Sequence, residues 1–404
     1  MDWSSPTRLV VTTSRGCEHA LATELRALGL EPLPPSDPEA PARDAVALDG
    51  DLAAAMRINL WSRTAHRVLF ELAAFEADTP DDLYAQAADL PWDLYLRPDR
   101  PFRWTASVAG IPALRDPRFA LLRCKDAVAD RFLGRAGRRP DAQPTPDGAA
   151  CLHLHWHDGV ARIYVDTTGR PLSMRGYRLD PWLAPVRETL AAAILLEAGF
   201  SPARHEALLA PMCGSGTFAI EAALMAQNRA PGLLREDDSF AFVHLADAPL
   251  GAWKDMRADA AAAANYAPST WIRATDIAPD ALACTLQNAR RARVEKLIYL
   301  KACDFRVSPI PSAPGLVVMN PPYGERIGDP DALPRLYAVV GDWLKHSCMG
   351  LRAAVLTADP PLAKSLRLKP ERRIPLFNGP IECRLLLFDL YAGSHDARLL
   401  AKHS

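Results

Sequence analysis

The chain has 404 residues, about twice the length of a typical single domain, so one small core is excluded and two or three domains are expected. Apolar residues at 49% and charged residues at 24% exclude a mostly disordered or fibrous chain. Forty-seven Lys and Arg against 48 Asp and Glu leave a net charge of −1, so any polyanion must be met by a local patch. The skew of the basic residues toward Arg, with 36 prolines, reads first as GC-rich coding and second as phosphate chemistry. Eight cysteines without a C-x-x-C pair signal neither a disulfide framework nor a zinc site, and they are expected to be reduced core thiols. The N-terminus lacks the pattern of a secretory leader and no run of 18 apolar residues occurs, so a cytoplasmic chain with no membrane segment is expected.

In chain order, Arg8 to Thr13 predicts a strand, and the apolar spacing of CEHALATELRALGL predicts an amphipathic helix that stops at Gly29. Residues 31–43 carry five prolines and read as an irregular loop, followed by a helix over about 52–62. From Arg67 the pattern predicts a strand, a helix near 80–90, a strand over 101–110 and a helix over about 117–134. A strand pair, CLHLHWH and ARIYVDTT, then turns at Asp158-Gly159. Residues 173–185 read as a linker. Beyond it, strands and helices alternate: a helix over 186–198, EALLA, a helix after Thr217, WIRAT, a helix after Pro279, LIYLKA, GLVVM, a helix near 332–344, AAVLT, and the pair RRIPLF and ECRLLLFDL. That alternation predicts a parallel, doubly wound α/β sheet with ligands at the carboxyl ends of its strands.

Three motifs carry chemistry. In LLAPMCGSGTFAIEAAL, Gly214 and Gly216 let backbone approach a ligand, and a helix N-terminus near Thr217 offers free N–H groups; an ordinary strand-to-helix turn is the plainer reading. Asp276 closes the next strand, where it could accept hydrogen bonds from ribose hydroxyls or simply cap a helix, and Asp304 closes the strand after that, where it could hold an adenine amine. Asn320-Pro321-Pro322-Tyr323 follows the apolar strand GLVVM. The two prolines fix the backbone so that Asn320 and a proline carbonyl can accept both N–H bonds of a planar exocyclic amine, while Tyr323 offers a flat face to its base.

With these residues the chain resembles the THUMP-domain class I S-adenosylmethionine-dependent RNA methyltransferases, and among them the bacterial branch that makes N2-methylguanine in 23S rRNA. The resemblance runs over about residues 5–390 and includes TTSRGCEHALATEL, MRGYR, APVRETLAAA, the glycine loop, NPPYGERIG and NGPIECRLLLFDL. It implies a ferredoxin-like domain over 1–60, a THUMP RNA-binding domain over 61–168, a linker over 169–185, a Rossmann-like methyltransferase domain over 186–390 and a tail over 391–404. It also implies S-adenosylmethionine as cofactor, held by Arg187, Glu188, Pro211, Cys213, Gly214, Gly216, Thr217, Asp276, Ile277, Asp304 and Asn320, with guanine on Asn320 to Tyr323. The implied partner is 23S rRNA or a large-subunit assembly intermediate, and a monomer is expected. The chain departs from the family at Ala210, where relatives usually carry Asp; the insertion over 229–270, which lengthens the path from Gly216 to Asp276 beyond that of a simple dinucleotide fold, is expected to be shared with close relatives.

Between Arg97 and Arg139 eleven basic residues face four acids, a local surplus that the neutral total conceals. Arg115, Arg118, Arg123, Lys125, Arg138 and Arg139 are the candidates for phosphate contacts. His153, His155 and His157 alternate on one strand face; an exposed polar face is favoured over a metal site, and no metal is expected. Other readings of the same motifs are adenine-N6 methylation of DNA or RNA, methylation of a protein glutamine, and an RNA-binding protein whose methyltransferase activity has lapsed.

Overall fold

The computed structural model describes residues 3–34, 44–137, 140–142, 145–178, 185–204, 206–312, 314–322, 332–358 and 360–391. The chain divides into two units, one made of residues 1–13, 21–174 and 230–262 and the other of residues 14–20, 175–229 and 263–404.

The first unit is built on β1 (Thr7–Thr12), α1 (Glu18–Ala27), β2 (Ala45–Gly50), α2 (Leu52–Trp61), β3 (Arg67–Glu76), α3 (Pro80–Asp89), β4 (Phe102–Ala109), α4 (Pro117–Ala136), β5 (Ala150–His157) and β6 (Val160–Asp166). Its strands form one six-stranded sheet in the order β2-β1-β3-β6-β5-β4, parallel only between β4 and β5. Local chemistry sets the boundaries. Asp51 caps α2 by accepting from the Ala54 N–H at 2.8 Å, and Thr79 with Asp82 forms a reciprocal capping box on α3. Asp158 and Gly159 both take positive φ at the β5–β6 hairpin, the geometry that matches strand twist across a two-residue turn.

Strand β2 escaped the sequence reading. AVALDG is short and Ala-rich, and it is ordered by pairing with β1 over six residues rather than by its own propensity. Residues 230–262 lie within the span expected for the methyltransferase domain, and they pack with the first unit: Phe240, Phe242, Leu245 and Trp253 join the buried cluster that holds Leu9, Phe70 and Trp156. Trp253 meets Phe240 and Phe242 edge-on at 5.1 and 4.9 Å. Arg235 donates to the carbonyls of Thr168 and Arg170 at 3.2 and 3.0 Å, and the Trp3 indole donates to the Ala246 carbonyl at 2.8 Å. Burial of three large aromatic rings is the driving term, worth several kcal/mol even after ordering costs.

The second unit continues with α5 (Glu188–Glu197), β7 (Ala207–Pro211) and α6 (Thr217–Ala226). After the returning segment and its helix α7 (Leu250–Ala262) come β8 (Ile272–Asp276), α8 (Pro279–Arg291), β9 (Ile298–Ala302), β10 (Gly315–Met319), α9 (Ala332–Ser347), β11 (Arg352–Thr357), α10 (Pro360–Ser365), β12 (Arg372–Asn378) and β13 (Ile381–Asp389). The sheet runs β12-β13-β11-β10-β7-β8-β9, with β7 to β11 parallel and β13 antiparallel to both neighbours. The chain enters at the interior strand β7, moves outward to β9, and restarts beside β7 at the central strand β10. That reversal opens a crevice at the carboxyl ends of β7 and β10.

The segment read as a linker is anchored over its described part. Arg175 and Tyr177 are buried, and the Tyr177 hydroxyl donates to a Glu221 carboxylate oxygen at 3.0 Å while the Arg175 guanidinium lies 3.5 Å from it. An Arg and a Tyr placed against a buried Glu must be held in the interior, because leaving that carboxylate unpartnered would cost several kcal/mol. All eight cysteines are free thiols. Among the described residues no helix is long and apolar enough to cross a membrane.

Candidate functional site

Strand β7 ends at Pro211 and the chain turns through Met212, Cys213, Gly214 and Ser215 to Gly216, which caps α6; Met212, Gly214 and Gly216 all have positive φ. Three neighbours fix this loop. The Gly214 N–H donates to Asp276 Oδ2 at 3.0 Å, the Thr285 hydroxyl donates to the Gly214 carbonyl at 2.8 Å, and the Asn288 amide donates to the Ser215 carbonyl at 3.1 Å. A Cβ at Gly216 would come within 2.4 Å of Thr285 Cγ2, so the glycine is required by close packing as well as by φ. Thr285 and Asn288 sit three residues apart on one face of α8 and were missed from sequence; only their helical spacing behind Asp276 could have suggested them.

Asp276 is partly exposed at the end of β8. One carboxylate oxygen takes the Gly214 N–H and the other takes the Ala278 N–H at 3.0 Å, while the N-cap of α8 is Ala278. Asp276 therefore joins two strand ends rather than capping the helix, and each oxygen keeps lone pairs for a further donor. Ile277 beside it is 73% exposed, unusual for an isoleucine at a strand end. Asp304 caps the turn after β9 and pairs with Arg306 at 2.8 Å; the hydrogen bond from Arg306 holds its carboxyl below the usual range, so it is an acceptor at neutral pH. Pro211 and Thr217 are buried at the two ends of the loop, and burial pushes the Cys213 thiol up to about 12, which keeps it an uncharged wall of the site.

Arg187 and Glu188 face opposite ways at the start of α5. Arg187 is exposed, whereas Glu188 is buried and paired with Arg178 at 3.2 Å; burial raises its carboxyl. Ala210 lies in β7 with 1% exposure, opposite Ala274 of β8.

Asn320 follows β10 directly. Its Oδ1 is enclosed by protein and has no hydrogen-bond partner among the described residues. An amide oxygen held dry and unpartnered costs about 1–3 kcal/mol, and such groups recur where a ligand completes them. Pro321 is buried and Pro322 half-buried behind it. Tyr323 lies outside the described residues. β10 pairs in parallel with β7, so Asn320 and the glycine loop stand on adjacent strand ends of the same crevice.

In the first unit the basic patch is less free than the sequence window implied. Arg118 pairs with Asp116 at 2.8 Å, Arg123 with Asp81 at 2.6 Å, and Arg131 and Arg135 share Asp93 at 3.2 and 2.7 Å. Asp81 and Asp93 come from outside the window that was counted. Arg115 is exposed and Lys125 half-buried, with no ion pair to a described residue; Arg138 and Arg139 lie outside the described residues. The three histidines do share one face of β5, but it is not an exposed one. His153 is within 2.9 Å of the Thr105 hydroxyl and His157 within 2.9 Å of that of Ser107, while His155 and His157 stack at 3.9 Å. Burial lowers His153 to about 4. Among the described residues no cluster of three His, Cys, Asp or Glu side chains could hold a metal ion.

Comparison with known proteins agrees with this layout. Residues 175–386 match the RMKL-like methyltransferase domain, residues 8–69 an RlmL ferredoxin-like domain and residues 77–166 a THUMP domain. "Ribosomal RNA large subunit methyltransferase K/L" of Allochromatium vinosum is 39% identical over 94% of this chain and 52% of its own length; that of Pseudomonas aeruginosa is 36% identical over 95% and 52%. The chain thus spans about half the length of these curated relatives. Among solved structures, SMU.472 complexed with SAH superposes with a TM-score of 0.85 at 27% identity, over 96% of this chain and 99% of that one. A Listeria monocytogenes protein titled "predicted N6-adenine-specific DNA methylase" gives 0.83 at 30% identity, over 96% and 97%. With a switch point between β7 and β10 and a matched domain spanning more than half its length, the chain belongs to the RMKL-like methyltransferase family.

Proposed function

We propose that the chain transfers a methyl group from S-adenosylmethionine to the exocyclic N2 amine of a guanine in 23S rRNA, free or in an assembling large subunit, and that it works in the cytoplasm as a monomer. The observation that carries this reading is Asn320 Oδ1 at the mouth of the β7–β10 crevice, enclosed by protein and without a hydrogen-bond partner among the described residues. A carbonyl oxygen in that state selects a donor, and the two-proline turn behind it limits where that donor can lie.

The residues present fit the cofactor. The glycine loop admits no side chain at Gly216, Asp276 keeps lone pairs for hydroxyl donors, and exposed Ile277 offers an apolar surface beside it. SAH in the SMU.472 structure supports the same assignment. When bound, S-adenosylmethionine supplies an electrophilic methyl group. Asn320 accepts an N–H of the amine and turns its lone pair out of conjugation with the ring. Pro321 and Pro322 hold the backbone at Asn320 extended, which limits where that carbonyl can point. No strong base is needed, because the alkylated amine is acidic enough to release a proton to solvent. The THUMP match and the names of the curated relatives favour rRNA over DNA and over protein.

The test is methylation in vitro. The purified chain is incubated with S-adenosylmethionine and 23S rRNA from a strain lacking the corresponding gene, and nuclease digests are read by mass spectrometry. One new N2-methylguanosine is expected. N6-methyladenosine, or no methylated nucleoside with either RNA or ribosomal particles, overturns the reading.

A further inference from the structure

Helix α4 breaks the rule that a surface helix buries its apolar residues. Ala120, Cys124, Ala127, Val128 and Phe132 lie in the core as expected. On the opposite side Phe119 is 47% exposed and Leu122, one turn further on, 52% exposed. Both border a cleft of about 850 Å³ whose walls include Pro80, Leu114, Arg115 and Lys125. The cleft is concave, mixed aromatic and aliphatic inside, and cationic at its rim.

We propose that this cleft takes an unpaired base of the substrate RNA, with Phe119 as the stacking face and Arg115 and Lys125 on the flanking phosphates. The proposal rests on the RNA reading above and adds the structural state of the RNA at this surface. Charge complementarity commits the cleft to a polyanion: a second copy of the chain would bring the same cationic rim against itself. Between forms of RNA, the aromatic ring decides. Bases in an A-form duplex are stacked on one another and cannot lie against Phe119, whereas a splayed base in a loop, bulge or end can. The neighbouring pairs also leave the rim to a ligand selectively. Arg118 is neutralised by Asp116 and Arg123 by Asp81, while Arg115 and Lys125 make no ion pair to a described residue.

Fluorescence anisotropy on the full chain tests this with a labelled 12-nucleotide single strand of mixed sequence and the duplex of the same sequence, at one fixed salt concentration. Wild type should prefer the single strand. Phe119→Ala should weaken single-strand binding roughly tenfold or more and leave duplex binding unchanged, while Phe119→Tyr, which keeps the flat face, should bind as wild type does. Because Phe119 is half exposed, its thermal melt serves as a control that should not move. Equal loss for strand and duplex, no loss at all, or failure of tyrosine to rescue overturns the proposal. So does a wild-type dimer, seen by light scattering, that Phe119→Ala converts to monomer with RNA binding intact. If the single strand binds through Phe119 while the rRNA assay yields no methylated guanosine, the cleft stands and the methylation reading falls; the converse result separates them the other way.

Discussion

Replacing Asn320 with Ala should slow methylation severely without weakening the fold, and the two effects have different origins in the same atom. In the folded chain Asn320 Oδ1 is already stripped of water and has no partner among the described residues, so the substrate amine does not have to compete with solvent for it. As the methyl group arrives, positive charge grows on the amine and its N–H bond to Asn320 becomes charge-assisted, worth about 1.5–3 kcal/mol. Loss of orientation adds to this, so a total of about 2–4 kcal/mol is expected, or a fall in kcat/KM of roughly 30- to 1000-fold. Stability should move little. Removing the amide relieves a desolvation cost of about 1–3 kcal/mol and opens a small cavity that costs about as much. Single-turnover methylation and urea unfolding of the same variant check both halves. A rate within threefold of wild type, or a loss of more than about 3 kcal/mol of stability, would show that Asn320 holds the turn and not the amine.

Two further outcomes follow from packing and burial. Gly216→Ala forces a left-handed alanine against the fully buried Thr285 and should lose about 2–4 kcal/mol of unfolding free energy; adding Thr285→Ser removes the 2.4 Å contact with Cγ2 but leaves Oγ1 at 2.8 Å, and should recover part of that loss. An unimproved double variant by chemical denaturation refutes the steric account. His153, depressed from 6.5 to about 4 by burial, favours the folded state while neutral, so its contribution is complete above pH 6.5 and is lost as pH falls toward 4. That loss is about 3 kcal/mol at most. His153→Gln should flatten the difference in urea midpoint between pH 7 and pH 4.5, and an unchanged slope argues that other groups drive acid unfolding.

The second unit was largely legible in sequence because its signals are local. GLVVM is an apolar run with no period, as a parallel strand buried on both faces must be, and it was placed correctly at residues 315–319. Asp276 and the glycine loop were brought to adjacent strand ends by the strand order alone. What the sequence concealed depends on partners distant along the chain. AVALDG is a strand only because β1 offers it an edge, and Arg131 and Arg135 lose their apparent freedom to Asp93, some 40 residues earlier. The histidine face looked solvated because alternation reports which side chains share a face and not what lies over it. Asn320 was recognised from its prolines, but that its oxygen has no described partner could be learned only from the fold.

The return of residues 230–262 to the first unit has a consequence for how the protein is made. Strand β6 ends at Asp166, but Phe240, Phe242 and Trp253, which share its buried cluster, leave the ribosome up to about 90 residues later. At roughly 5–20 residues per second that is a delay of roughly 5–20 s, during which the N-terminal sheet is complete in hydrogen bonds yet open on one apolar flank. The same delay covers β7 and α6, which emerge before the aromatic segment and cannot form their own sheet until β8 to β11 follow. The first unit can close on a finished core only once residue 262 has emerged, still ahead of β8 to β11 of the second. A ribosome that pauses before Trp253 would leave that apolar flank uncovered for longer.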